Sequence, residues 1–263
     1  MIGVLSAVIL AAIVLGVVFL LPPIATLLLA VLAAALAFDE YADLAAALGA
    51  TIPRVLCAAT VTVACVAVGT DGLPVDVVLL TSMVAIGTYV MATGQPGPGL
   101  LRDVAAAVLP IVYIGLPLGA LAAIRLIGGR DATALLIATM IASDSAQYYS
   151  GRMFGRRPLA PSISPNKTQE GAVGGLILGS AAMTAGGRWV FPETPLGVMV
   201  LASATVVGVG IVGDLFESLL KRSAGVKDSS NVIPGHGGVL DRVDSWLFAG
   251  PMYYVFTRYL QFP

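Results

Sequence analysis

Charge is scarce in this sequence. Asp, Glu, Lys and Arg make up 11% of its 263 residues, where a soluble domain carries about 25%. Hydrophobic residues make up 58% and the mean hydropathy is +0.94. A water-soluble fold is thereby excluded, because so much apolar surface cannot be hidden in one core. Basic excess is also lacking. The net charge is −1, so the electrostatic footprint of a nucleic-acid binder is missing and no nucleic-acid partner is expected. Histidine occurs once, as His236, and no cysteine lies near it, which excludes a His/Cys metal cluster. The two cysteines, Cys57 and Cys65, stand eight residues apart in one apolar run. On a helix that is about 12 Å, beyond the ~7 Å a disulfide can bridge. They read as small core residues.

What is present is a series of long apolar runs. A spanning helix needs about 20 mostly apolar residues. About nine runs qualify, near 2–20, 23–38, 52–69, 75–93, 104–125, 131–150, 171–188, 196–216 and 243–260. The first has no positive flank and is too long for a signal peptide, so it reads as a retained span. Breaks fall at Pro22-Pro23, at Thr70-Asp71-Gly72, between Gly94 and Gly99, and at Gly128 to Asp131. Two longer polar connections cover 151–170 and 221–242. The fold expected is therefore an all-α integral membrane protein of about nine transmembrane helices, with a polar cavity facing the cytoplasm. Its bland N-terminal part is 1–130 (about five spans) and its functional part 131–263 (about four spans).

Lys and Arg counts orient these spans. Ten fall on the side of the N-terminus and both polar connections, and four (Arg125, Arg130, Arg188 and Arg258) on the other. The positive-inside rule puts the ten in the cytoplasm. A bacterial-type inner membrane with a cytoplasm-facing site is expected, and the C-terminus then lies outside.

Chemistry-bearing residues cluster late. Asp214, Glu217, Ser218 and Lys221 are spaced i, i+3, i+4 and i+7, one face of a helix. An acid near hydrocarbon usually faces a cavity, a partner or an ion. Asp241 and Asp244 open the last span. Carboxylates brought together repel unless a cation joins them, and hard oxygen ligands suit Mg²⁺. Between these acids stand Lys221, Arg222, Lys227 and Arg242, which neutralise phosphates, and Gly235, Gly237 and Gly238, which let backbone N–H groups approach an anion. Those are the parts that phosphoryl or nucleotidyl transfer uses. The competing reading is a solvated loop with snorkelling cations at a span end. For His236 two readings stay open, a phosphate or substrate contact and a turn residue.

Two earlier runs are weaker. Asp144, with Gln147 and Tyr148 on its face, reads either as a further carboxylate for metal or nucleotide, or as a buried acid bonded to a neighbouring helix. Ser164, Asn166, Lys167 and Thr168 precede the seventh span. They read as an anion site at a helix N-terminus or as simple capping by Thr168. Asp39, Glu40 and Asp43 read as a solvated interfacial stretch.

The run from Ser218 to Asp244 resembles the phosphatidate cytidylyltransferase (CDP-diacylglycerol synthase) family. The matching positions are Ser218, Leu220, Lys221-Arg222, Lys227-Asp228, Ser230, Ile233, Pro234, His236-Gly237-Gly238, Val239, Asp241-Arg242, Val243 and Asp244, without a gap. Ser143-Asp144-Ser145 and Ser164 to Gly171 also resemble family elements, with Gln169 where Trp or Val is common. The resemblance covers about 131–263.

It implies transfer of a cytidylyl group from CTP to phosphatidic acid, giving CDP-diacylglycerol and pyrophosphate, the committed step toward anionic phospholipids. It also implies Mg²⁺ (one ion or two), membrane lipids as surroundings and a homodimer of nine-span subunits. Carried over residue by residue, Asp214 and Asp241 are the first metal-ligand candidates and Asp144, Asp228 and Asp244 the second. Asp214, Asp241, Lys221, Arg222 and Lys227 are expected in catalysis. Substrate contacts are expected from Lys167, Ser164, Asn166, Thr168, Asp144, Ser218, His236, Gly237, Gly238 and Arg242. A polyprenol kinase, which releases CDP, and a transporter with Asp144 and Asp214 as an ion site are the rival readings.

Overall fold

The structure is a computed structural model and describes residues 2–70, 72–233, 235 and 237–259. His236 lies outside the described residues, as do Asp71 and Pro234. The described chain is helical almost throughout. Its one regular exception is a two-stranded antiparallel hairpin.

Each apolar run folds as a helix. In chain order these are α1 (Ile2–Leu20), α2 (Pro23–Ala47), α3 (Arg54–Thr70), α4 (Val75–Thr93), α5 (Leu100–Pro110) and α6 (Leu116–Ile127). Then follow α7 (Gly129–Phe154), α8 (Gln169–Val190), α9 (Leu196–Ser223), the short α10 (Leu240–Val243) and α11 (Trp246–Tyr259). Four described stretches are long and apolar enough to cross a bilayer: Pro23–Ala47, Val75–Thr93, Leu100–Ile127 and Leu196–Ser223. The long stretch joins α5 to α6 through a π-helical turn, Ile111–Gly115. That turn lies between Pro110 and Pro117. Both lack an N–H, so the hydrogen-bond ladder between them shifts register.

The chain divides into two compact units. The first holds residues 1–126 and 220–243, and the second 127–219 and 244–263. In the first, the chain stays close because its contact residues are small. A methyl group on Gly119 would stand 2.5 Å from the Cys65 carbonyl, and one on Gly115 2.7 Å from that of Val61. Small residues at a helix crossing are how helices gain van der Waals contact where lipid gives no hydrophobic drive. Cys57 and Cys65 are free thiols, both fully buried at this contact.

In the second unit, α8 presents Gly171, Gly175 and Gly179 to α7 at four-residue spacing. A methyl on Gly171 would lie 2.8 Å from the Gln147 carbonyl, and one on Gly179 2.8 Å from Ser143 Cβ. Between α7 and α8 the polar, Pro-rich connection is not an open loop. It forms strands β1 (Pro158–Ala160) and β2 (Ser164–Thr168), closed by the Ile163 N–H donating to the Ala160 carbonyl at 3.1 Å. Phe191 packs edge-on to Phe256, and the Tyr253 hydroxyl donates to the Ala132 carbonyl at 2.9 Å, tying α11 to α7.

Candidate functional site

In the first unit the basic, glycine-rich connection folds around Asp241. Lys221, at the end of α9, forms an ion pair with Asp241 Oδ1, and both residues are 8% exposed. The other carboxylate oxygen accepts from the Gly238 N–H (2.7 Å), the Ser229 N–H (3.0 Å) and the Ser229 hydroxyl (2.9 Å). Burial alone would raise the pKa of this acid. The Lys221 ammonium and the Gly238 and Ser229 amides overcome that and hold it at about 2. Asp241 is therefore a fixed anion at neutral pH.

The turn between them is tight. Gly225 and Gly237 have φ of +74° and +77°, a region that costs a side chain about 1–2 kcal/mol. The Arg222 guanidinium folds back to the Val226 carbonyl at 2.8 Å, while Lys227, Asp228 and Arg242 are exposed. Asp228 stands beside the Gly237 turn.

One residue here was misread from sequence. Glu40 on α2 is 4% exposed, not solvated. Its Oε1 accepts from the Ser230 hydroxyl (2.7 Å) and the Val239 N–H (2.8 Å). Its Oε2 accepts from the Ser229 hydroxyl (2.9 Å) and the Leu240 N–H (2.7 Å). Its neighbours Asp39 and Asp43 do lie at the surface, where both face Arg54, Asp43 at 2.5 Å. A signal was available in the helical spacing: Ala37, Glu40 and Leu44 stand at i, i+3 and i+7 on one face of α2, all buried, while Asp39 and Asp43 share another face.

In the second unit the acids meet in a pair. Gly213 brings α9 against the start of α11. A methyl there would stand 2.8 Å from the Asp244 carbonyl and 2.9 Å from Phe248 Cβ. That close approach sets the carboxyls of Asp214 and Asp244 within hydrogen-bonding reach, with the fully buried Glu217 near them. Lys167 on β2 forms an ion pair with the other side of Asp214. Among the described residues, no three His, Cys, Asp or Glu side chains converge in a metal-holding arrangement. Ser218 follows on α9, half-buried.

The hairpin that carries Lys167 is anchored at its base. The Thr168 hydroxyl accepts from the Gly171 N–H at 3.1 Å, so Thr168 caps α8. The Glu170 carboxylate accepts from the Arg156 and Arg157 N–H groups at 3.0 and 3.2 Å, which lowers its pKa. Ser164 and Asn166 lie in β2 rather than at the helix terminus itself. Asp144 is exposed on α7 and accepts from Gln147 Nε2 at 3.2 Å. The two acids of main interest thus share one feature: each is neutralised by a lysine, Asp214 by Lys167 and Asp241 by Lys221.

Comparison with known proteins follows the same lines. The chain is 44% identical over 119 residues to the phosphatidate cytidylyltransferase of Haemophilus influenzae, covering 44% of this chain and 41% of that protein. It is 45% identical over 126 residues to that of Pseudomonas aeruginosa, 46% of each chain. Against that of Thermotoga maritima the identity is 35% over 196 residues, 72% of this chain and 70% of the relative. The chain thus spans less than half the length of the first two relatives and about two thirds of the third. The sequence model of the cytidylyltransferase family matches residues 1–260, nearly end to end, and the chain belongs to that family.

Proposed function

We propose that the protein is a phosphatidate cytidylyltransferase. It moves a cytidylyl group from CTP to phosphatidic acid and releases pyrophosphate. The observation that carries this is the folded Lys221–Asp241 loop: a buried aspartate, ionised at neutral pH and paired with a lysine, with Arg222, Lys227 and Arg242 in the same stretch of chain. The identity with relatives named phosphatidate cytidylyltransferase supports the same reading.

A phosphate oxygen of phosphatidic acid attacks the α-phosphorus of CTP. The bond to the β-phosphate breaks, and pyrophosphate leaves with the electron pair. Phosphatidic acid is already an anion near neutral pH, so no general base is required. In the first unit Lys221, Arg222, Lys227 and Arg242 carry phosphate charge and Gly237 and Gly238 offer backbone N–H groups; in the second unit Lys167 is a further cation for phosphate.

Mg²⁺ fits the donor set, since it is commonly held by one or two carboxylates together with substrate phosphates and water. Asp214 with Asp244 offers such a pair. In the first unit, Asp241 would ligate an ion by exchanging Lys221 for it, with Asp228 as an exposed carboxylate; in the second, Asp144 is a further exposed carboxylate. When bound, the ion neutralises triphosphate charge and stabilises the leaving pyrophosphate. The remaining helices, too short or too polar to qualify on length and composition alone, complete about nine spans. The site faces the cytoplasm of a bacterial-type inner membrane, and the protein works as a homodimer.

The test uses purified protein with Mg²⁺, α-labelled CTP and phosphatidic acid, with and without chelator. Label in a chloroform-soluble product with chelator-sensitive pyrophosphate release is the expected result. CDP without labelled lipid would make it a kinase, and neither product from folded protein would remove the transferase reading.

A further inference from the structure

We infer that Glu40 is a positioning residue for the reaction, acting on Asp241 through Ser229 and through the backbone that leads into α10; the inference rests on the transferase reading above. No acid in the first 130 residues enters the chemistry directly, yet Glu40 reaches across 189 to 200 positions of sequence to hold both ends of one loop. Its four acceptor contacts split evenly between its two oxygens. One hydroxyl and one backbone N–H go to each. Ser229 and Ser230 lie on one limb of the loop, Val239 and Leu240 on the other. A carboxylate in that place draws the limbs together.

Ser229 is the link to Asp241. Its hydroxyl is 2.9 Å from Glu40 Oε2 and 2.9 Å from Asp241 Oδ2. A hydroxyl has one proton, so it serves one carboxylate at a time, while the Ser229 N–H stays with Asp241 in either case. The fit leaves no room for slippage. A methyl group at Gly238 would fall on Ser229 Oγ and on the Glu40 carboxylate. Glu40 thus fixes where Ser229 and Gly238 stand, and they fix the Asp241 oxygen that does not face Lys221. Glu40 is too far enclosed by its own donors to meet a substrate.

Glu40→Gln tests this. It keeps the shape but removes the charge and turns one acceptor into a donor facing donors. Turnover should fall by about 10–100-fold, the usual effect of losing a supporting partner behind a reacting group. Hydrogen exchange at the Val239 and Leu240 amides should quicken, while exchange within α7 and α8 stays as in the parent. Asp43→Asn, three residues along the same helix, should change neither. If Glu40→Gln does not fold, the double variant Ser229→Ala/Ser230→Ala removes both hydroxyl donors while leaving the charge, and should lower turnover in the same direction. Parental turnover and parental amide exchange in these variants would overturn the inference. If the parent itself makes no labelled lipid, the transferase reading falls, while exchange at Val239 and Leu240 still decides whether Glu40 holds the loop.

Discussion

Substitution of Gly238 by alanine probes the tightest point of the loop. The added methyl cannot be placed without moving Ser229 Oγ and the Glu40 carboxylate, whose Cδ would be 2.6 Å away. Both are side-chain ends and can rotate, so the cost lies less in overlap than in what rotation gives up. Glu40 Oε2 would leave the Leu240 N–H and the Ser229 hydroxyl. Hydrogen bonds to a charged group contribute about 1.5–3 kcal/mol each. Losing two gives about 3–6 kcal/mol, and the lower end is expected because water can reach part of the loop. For a chain of this size that lowers the melting temperature by about 6–12 °C, at about 2–4 °C per kcal/mol. Gly225→Ala is the control. Its φ is +74° but nothing stands within 4 Å of the new methyl, so only the backbone term of about 1–2 kcal/mol applies. Thermal unfolding in detergent with turnover measured in parallel reads both. If Gly238→Ala melts no lower than Gly225→Ala and keeps parental turnover, the crowding argument is wrong.

Other outcomes are open to direct measurement. Asp214→Asn should abolish turnover while leaving the fold intact, because the amide keeps the shape of the side chain at a half-buried position; activity retained at saturating Mg²⁺ would exclude an essential ligand role. The depressed pKa of Asp241, about 2 against an ordinary 3.8, stabilises the fold by about 2 kcal/mol at ~1.4 kcal/mol per unit. That contribution is complete above about pH 4 and is lost as pH falls through 2. Lys221→Met should cost about 3–5 kcal/mol at neutral pH, since it leaves a buried carboxylate without its cation, and the loss of stability that Asp241 causes as pH falls through 2 should disappear. Glu170→Gln should loosen the hairpin, seen as faster amide exchange at Arg156 and Arg157, with little change in α9.

The helical segments were open to a reader of the chain, because hydropathy is a local property, but not all their limits: α2 runs on past Phe38 through three acids to Ala47, and α9 past residue 216 to Ser223. Pro22-Pro23 and the glycine runs end helices by their own backbone chemistry, whatever surrounds them. The absence of a disulfide followed from the helical spacing of Cys57 and Cys65 in the same way. The loop around Asp241 was visible as well, since Lys221, Asp241 and the glycines lie within one short stretch.

What local pattern could not carry were the contacts between distant segments. Glu40, read as solvated from its neighbours Asp39 and Asp43, is buried because donors nearly two hundred residues later converge on it. The 151–170 connection holds strands because Glu170, at the start of α8, satisfies the Arg156 and Arg157 N–H groups at its base. The pairing of Asp214 with Asp244 depends on Gly213 lacking a side chain where α11 passes. Sequence by itself determined which segments leave water and which residues carry charge into them, because transfer free energy is summed residue by residue. Tertiary structure alone decided which charges meet, because the Coulomb and hydrogen-bond energies that hold them depend on distances no local pattern encodes.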